Sequence, residues 1–93
     1  MNRLPPLDDR GNKMRIGDLV RVMGIPDFEH WTPAQRRFSL GVFRHIRGTC
    51  KRISSFDRHG YAEIFFIIRG GANRGIHSVA MEPYLLRVQR KRT

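Results

Sequence analysis

Short apolar runs separated by glycine- and proline-containing turns predict a mainly β chain. The expected architecture is five strands curled into a partly open barrel, with one α-helix over about 33–46 inserted after the first strand. Two observations carry this. Runs rich in Val, Ile and Phe alternate with turn residues, as strands do. One segment shifts to helical periodicity and has stop signals at both ends. Small antiparallel sheets in such a pattern usually curl on themselves.

Residues 1–13 read as a flexible leader, because Pro5, Pro6, Asp8, Asp9, Gly11 and Asn12 are turn and linker residues. The single domain spans 14–89, and 90–93 form a basic tail. Gly17-Asp18 makes a turn into the first strand, Leu19 to Met23, which Gly24 and Pro26 halt. Asp18 is expected to fix that turn.

The helix follows. Thr32 is a good N-cap, Pro33 suits the first helical position, and Gln35 completes a capping box. Phe38, Val42 and Ile46 recur every fourth residue, and Phe43 lies beside them. Gly41 weakens the interior by about 1 kcal/mol relative to Ala. Gly48 supplies the left-handed stop, and Arg44, His45 and Arg47 favour the carbonyl end.

The segment "TCKRISSF" reads as one continuous second strand. "DRHG" is a hairpin turn, "YAEIFFII" the third strand, "RGGANRG" a longer loop and "IHSVAM" the fourth strand. "EPY" is a turn, since Pro83 cannot extend a ladder, and "LLRVQ" is the last strand. The unbroken apolar run Ile64 to Ile68 needs cover on both faces. One face lines the interior. The helix face of Phe38, Val42 and Ile46 is the internal candidate for the other; otherwise a partner must cover Phe65 or Phe66.

"IGDLVRV", the long insert, the "FDRHG" hairpin and "MEPYLLRV" together resemble an SH3-like barrel. More narrowly, the chain resembles small uncharacterised bacterial proteins with an IGDLVRV start and an EPxxL closing segment. The likeness covers 14–89, and it implies the fold and a one-turn helix before the last strand rather than an activity. A looser resemblance is to KOW-type modules, which bind RNA or protein. Here "RGTCKRI" keeps Gly48 but lacks that motif's second glycine, and a helix intrudes.

The formal charge is +10, and fifteen of the eighteen basic residues are arginine. Residues 1–30 carry as many acidic as basic groups. Residues 31–93 hold thirteen basic groups against three acidic ones, so the whole excess lies there. Such a field favours anionic partners, nucleic acid or an acidic protein. Arginine suits bidentate phosphate contacts, though a GC-rich genome writes the same bias. The candidate contacts are Arg36, Arg37, Arg44 and Arg47 on the helix, Lys51 and Arg52 on the second strand, Arg69 and Arg74 flanking the glycine-rich loop, and Arg87, Arg90, Lys91 and Arg92 at the end. Trp31, Tyr61 and Tyr84 are the aromatics that could stack on bases.

No catalytic constellation is evident. His30, His45, His59 and His77 are dispersed, and the one cysteine, Cys50, can form neither an internal disulfide nor a thiolate cluster. Asp8-Asp9 in a leader makes a poor acid–base pair. "RGGANRG" lacks the Gly-Lys-Ser/Thr ending of a phosphate loop. No cofactor, metal or small-molecule substrate is implied. No run is long enough to span a bilayer and the start has no apolar signal core, so a cytoplasmic protein is expected, as a monomer or weak homodimer. The functional expectation is a non-enzymatic module that binds an anionic partner such as nucleic acid. The alternative is a protein-interaction module or accessory subunit.

Overall fold

The computed structural model describes residues 3–27 and 32–89. It corrects the expected barrel. The strands are β1 (Leu19–Val22), β2 (Cys50–Arg52), β3 (Ser55–Phe56), β4 (Ala62–Ile68), β5 (Gly75–Met81) and β6 (Leu86–Val88), with helix α1 (Pro33–Ile46) after β1. They form two three-stranded antiparallel sheets, ordered β2-β1-β6 and β3-β4-β5, and the sheets do not close into a barrel.

The count differs because the expected second strand divides at Ile53–Ser54. Up to Arg52 it pairs with β1, with Leu19 opposite Arg52 and Arg21 opposite Cys50. Ile53 still belongs to that side, since its amide donates to the Asp18 carbonyl at 3.0 Å. One residue later the Ser54 amide donates to the Glu63 carbonyl at 2.9 Å, on β4. The chain therefore changes sheets across one peptide bond. Ile53, 1% exposed, anchors the corner in the core.

The helix forms as its ends dictate. The Gln35 amide donates to Thr32 Oγ1 at 3.2 Å, and the Thr32 amide donates to Gln35 Oε1 at 3.1 Å, which completes the capping box. At the other end the Gly48 amide donates to the Val22 carbonyl at 2.7 Å, tying the helix to β1. Gly41 lets the helix approach Asn73, whose side-chain amide lies 2.8 Å from where a Cβ would stand.

Val42, Phe43 and Ile46 enter one core with Val20 and Val22 of β1, Ile64, Phe66 and Ile68 of β4, Met81 and Leu86. The helix thus covers the inner face of β4, whereas cover of the second face was one expectation. The Phe38 side chain lies outside the described part. Phe65 and Ile67, on the other face of β4, are 58% and 57% exposed. A helix has one apolar face, and here that face is consumed in closing the space between the sheets.

The segment expected as a leader is joined to the sheets over its described residues. The Leu4 amide donates to the His59 carbonyl at 3.0 Å, and the Asp9 amide to the Leu86 carbonyl at 2.9 Å. Asp8 is only 4% exposed. Its carboxylate accepts from the amides of Arg10 (2.9 Å), Asn12 (2.8 Å) and Val88 (3.0 Å). One side chain thus shapes the 8–12 turn and fastens it to β6. The last strand is preceded by a single 3-10 turn, Pro83–Leu85.

Burial alone would raise the Asp8 pKa. The hydrogen bonds from Val88, Asn12 and Arg10 outweigh it and hold the carboxyl below its ordinary value. A depressed folded-state pKa stabilises the fold above the unfolded value, about 3.9. That contribution is lost as pH falls through the folded value. Asp8→Ala is expected to cost about 2–4 kcal/mol at neutral pH in urea unfolding. Asp8→Asn should flatten the loss of stability that the native chain shows below about pH 4.

Gly60 provides a second check. Its φ of 88° lies in the left-handed region, and an added Cβ would collide with the Leu4 carbonyl oxygen. Gly60→Ala is expected to lose about 1–3 kcal/mol in thermal unfolding, because strain and displacement of the N-terminal segment combine.

Candidate anion-binding surface

Strand order brings arginines together on the outer face of the β2-β1-β6 sheet. Val20 and Val22 point inward and are fully buried, so Leu19 and Arg21 point outward. Residues opposite one another in antiparallel strands share a face. Arg52 stands opposite Leu19, and Arg87 stands opposite Arg21. Arg21, Arg52 and Arg87 therefore share the outer face, one on each of the three strands. Cys50, half-buried, lies opposite Arg21 on the same face.

Like charges directly opposite one another repel. Two arrangements relieve the Arg21–Arg87 pair. Arg87 makes a forked contact with Asp9, with Nη2 2.6 Å and Nε 3.0 Å from Oδ2. Those hydrogen bonds to Asp9 hold the Arg87 pKa above its ordinary value. Arg21 turns away and donates from Nη1 to the Gly48 carbonyl at 2.7 Å. Arg52 similarly donates to the Gly17 carbonyl at 2.9 Å. A carbonyl partner orients a guanidinium without neutralising it. Arg21 and Arg52 are thus held in place with full charge, while Arg87 is partly compensated.

The other expected contacts fall on separate surfaces. Arg36, Arg37 and Arg44 are exposed within an arc of about 100° on the helix. Arg47 caps the helix end. Arg69 and Arg74 are exposed in the loop between β4 and β5. Lys51 is half-buried and lines a shallow depression of about 520 Å³ with Phe65, Phe66, Ile67, Arg69 and Ile76. Arg90, Lys91 and Arg92, with His30 and Trp31, lie outside the described residues.

Arg21 is the residue that the sequence reading left out. It belongs to the first thirty residues, whose charges balance, and only strand pairing places it among the arginines of the excess. Alternation within "LVRV" could have marked it as outward-facing, but not its neighbours.

Of the aromatics, Tyr84 is 59% exposed and Tyr61 half-buried. His59 and His77 make local contacts. His77 stacks on Phe66 with ring centres 5.6 Å apart, and its Nε2 lies 2.6 Å from the Asn73 carbonyl oxygen. The His59 ring lies 6.2 Å from that of Tyr61. Asp18 Oδ2 accepts from the Arg15 amide at 2.9 Å, within the turn before β1. Among the described residues no group of three or more His, Cys, Asp or Glu is placed to hold a metal ion. None of their helices is long and apolar enough to cross a membrane.

No protein-family model matches the chain, no curated protein matches it, and no solved structure matches it.

If the fork to Asp9 offsets the Arg21–Arg87 repulsion, Asp9→Ala should lower the unfolding midpoint. Adding Arg87→Ala should recover much of that loss, because the repelling pair is then gone. A double-mutant cycle in urea reads the coupling. Additive losses would show that the fork does nothing for the sheet.

Proposed function

We propose that this protein is a non-enzymatic binding module of the cytoplasm that holds an anionic partner, nucleic acid first, through its arginine surface. The observation that carries the reading is that Arg21 and Arg52 lie on one sheet face, each oriented by a backbone carbonyl and neither ion-paired among the described residues. Arg37, Arg44 and Arg47 add exposed charge on and beside the helix. Guanidinium groups fixed in this way fork onto phosphate oxygens. Affinity comes from released counterions, with little reading of base sequence.

A second reading rests on a different feature. Phe65, Ile67 and Ile76 are 58%, 57% and 80% exposed and border Lys51 and Arg69. An acidic protein segment with apolar side chains would fit that rim. The two readings differ in salt response, since phosphate binding weakens steeply and apolar docking does not.

Fluorescence anisotropy with labelled single-stranded RNA, single-stranded DNA and duplex DNA tests the first reading. For duplex DNA we expect a log–log salt slope of about −3 to −5, as three to five neutralised phosphates would give. The Arg21→Ala, Arg52→Ala double variant should lower that slope by about 2 units. Asp9→Asn should strengthen binding, because it releases Arg87 from its carboxylate. Absence of binding to every probe at low salt would overturn the nucleic-acid reading and leave the acidic-protein reading to be tested by pull-down.

A further inference from the structure

The β3-β4-β5 sheet ends in β5, which has no second strand beside it among the described residues, while Ser78–Ala80 share a depression with Pro26, Asp27, Ser39 and Phe43. Natural edge strands are usually blunted by lysine, proline, a bulge or brevity. β5 has none of these: "GIHSVAM" is seven residues long, uncharged apart from its histidine, and pairs with β4 in continuous register from Gly75 to Met81. Ile76 on this strand is 80% exposed.

The β4–β5 hairpin is also electrically polar. Arg69 and Arg74 lie at its loop end. Glu63 and Glu82 lie at the opposite end, with Glu63 paired to Ala80 and Glu82 directly after Met81. Glu82 has extended backbone (φ −61°, ψ 132°), so the strand direction continues through it. Its carboxylate has no ion pair among the described residues, and its buried Oε2 has no hydrogen-bond partner there.

We propose that the β5 edge pairs with the β5 edge of a second copy of this chain, across a two-fold axis at Ser78. Antiparallel pairing about Ser78 places Ile76 against Ala80 of the second copy and Gly75 against Met81. One residue beyond the strand, Arg74 faces Glu82, and the symmetry makes that contact twice. The result is a continuous six-stranded sheet, ordered β3-β4-β5-β5-β4-β3. A two-fold interface is self-complementary by construction, so a hairpin with opposite charges at its two ends suits it. The arginines of the β2-β1-β6 face lie on the other sheet, so this pairing stands apart from the anion-binding reading. The open edge would accept a different extended peptide by the same hydrogen bonds. The charge order along the hairpin favours the second copy. A seam one strand wide is a small interface, so the dimer should dissociate on dilution, at a Kd on the order of micromolar.

Sedimentation velocity on the full chain over about a hundredfold concentration range reads the mass directly. The expected result is a shift from 10.9 kDa toward twice that value. Arg74→Glu and Glu82→Lys, each alone, should weaken association at least about tenfold by setting like charges together. Mixing the two variants should restore it, because in the mixed pair both contacts join opposite charges. Circular dichroism establishes that each variant is folded. If Glu82→Lys does not fold, the loop variant Arg74→Glu carries the test against the native chain. A native chain that stays at 10.9 kDa throughout overturns the proposal. So does a dimer that Arg74→Glu leaves intact, or two folded variants that stay monomeric when mixed.

Discussion

The inward side chains of β4 determine where the rest of this small structure can lie. Ile64, Phe66 and Ile68 form an apolar row that must be removed from water, at roughly 25 cal/mol per Å² buried. The helix supplies the matching row with Val42, Phe43 and Ile46, and β1 adds Val20 and Val22. A chain of this length closes one such core, and the described residues hold no second α-helix to spend on the outer face. Exposure of Phe65 and Ile67 follows from that economy. So does the open edge of β5, which lies where the described residues run out of strands.

The N-terminal segment has a structural and an electrostatic role in neighbouring residues. Asp8 is buried and gathers backbone amides, including that of Val88 on β6. Asp9, next in sequence, reaches outward to Arg87 on the same strand. The first holds the segment in place. The second then modifies the charge of the arginine surface. Because Arg87 stands opposite Arg21, a carboxylate at this point relieves a repulsion that strand pairing itself creates.

Local chemistry was legible where it is local. The capping box at Thr32 and Gln35, the glycine stop at Gly48 and the turn at Asp57–Gly60 each depend on residues within four positions of one another. The division of the second strand at Ile53 was not legible, because nothing in "RISS" signals a break. It arises when two different partners, Asp18 and Glu63, compete for consecutive amides. The packing of residues 3–13 was hidden for a similar reason. Proline, aspartate and glycine mark turns equally well whether the turn is solvated or pinned to a sheet. The arginine face of the β2-β1-β6 sheet was half legible: Arg52 and Arg87 stood out by charge excess, Arg21 did not.

By itself the sequence determined the helix with its caps, the alternation of apolar runs with turns, the sign and the uneven distribution of charge, and the two-sided apolar character of residues 64–68. Each is a property of near neighbours or of composition. Only tertiary structure decided that the strands form two separate sheets, that the helix covers the inner face of β4, and that Arg21, Arg52 and Arg87 share one surface. Those outcomes depend on which strands pair. Pairing is settled by how one limited set of apolar side chains can be buried at once, and no local window of sequence contains that competition.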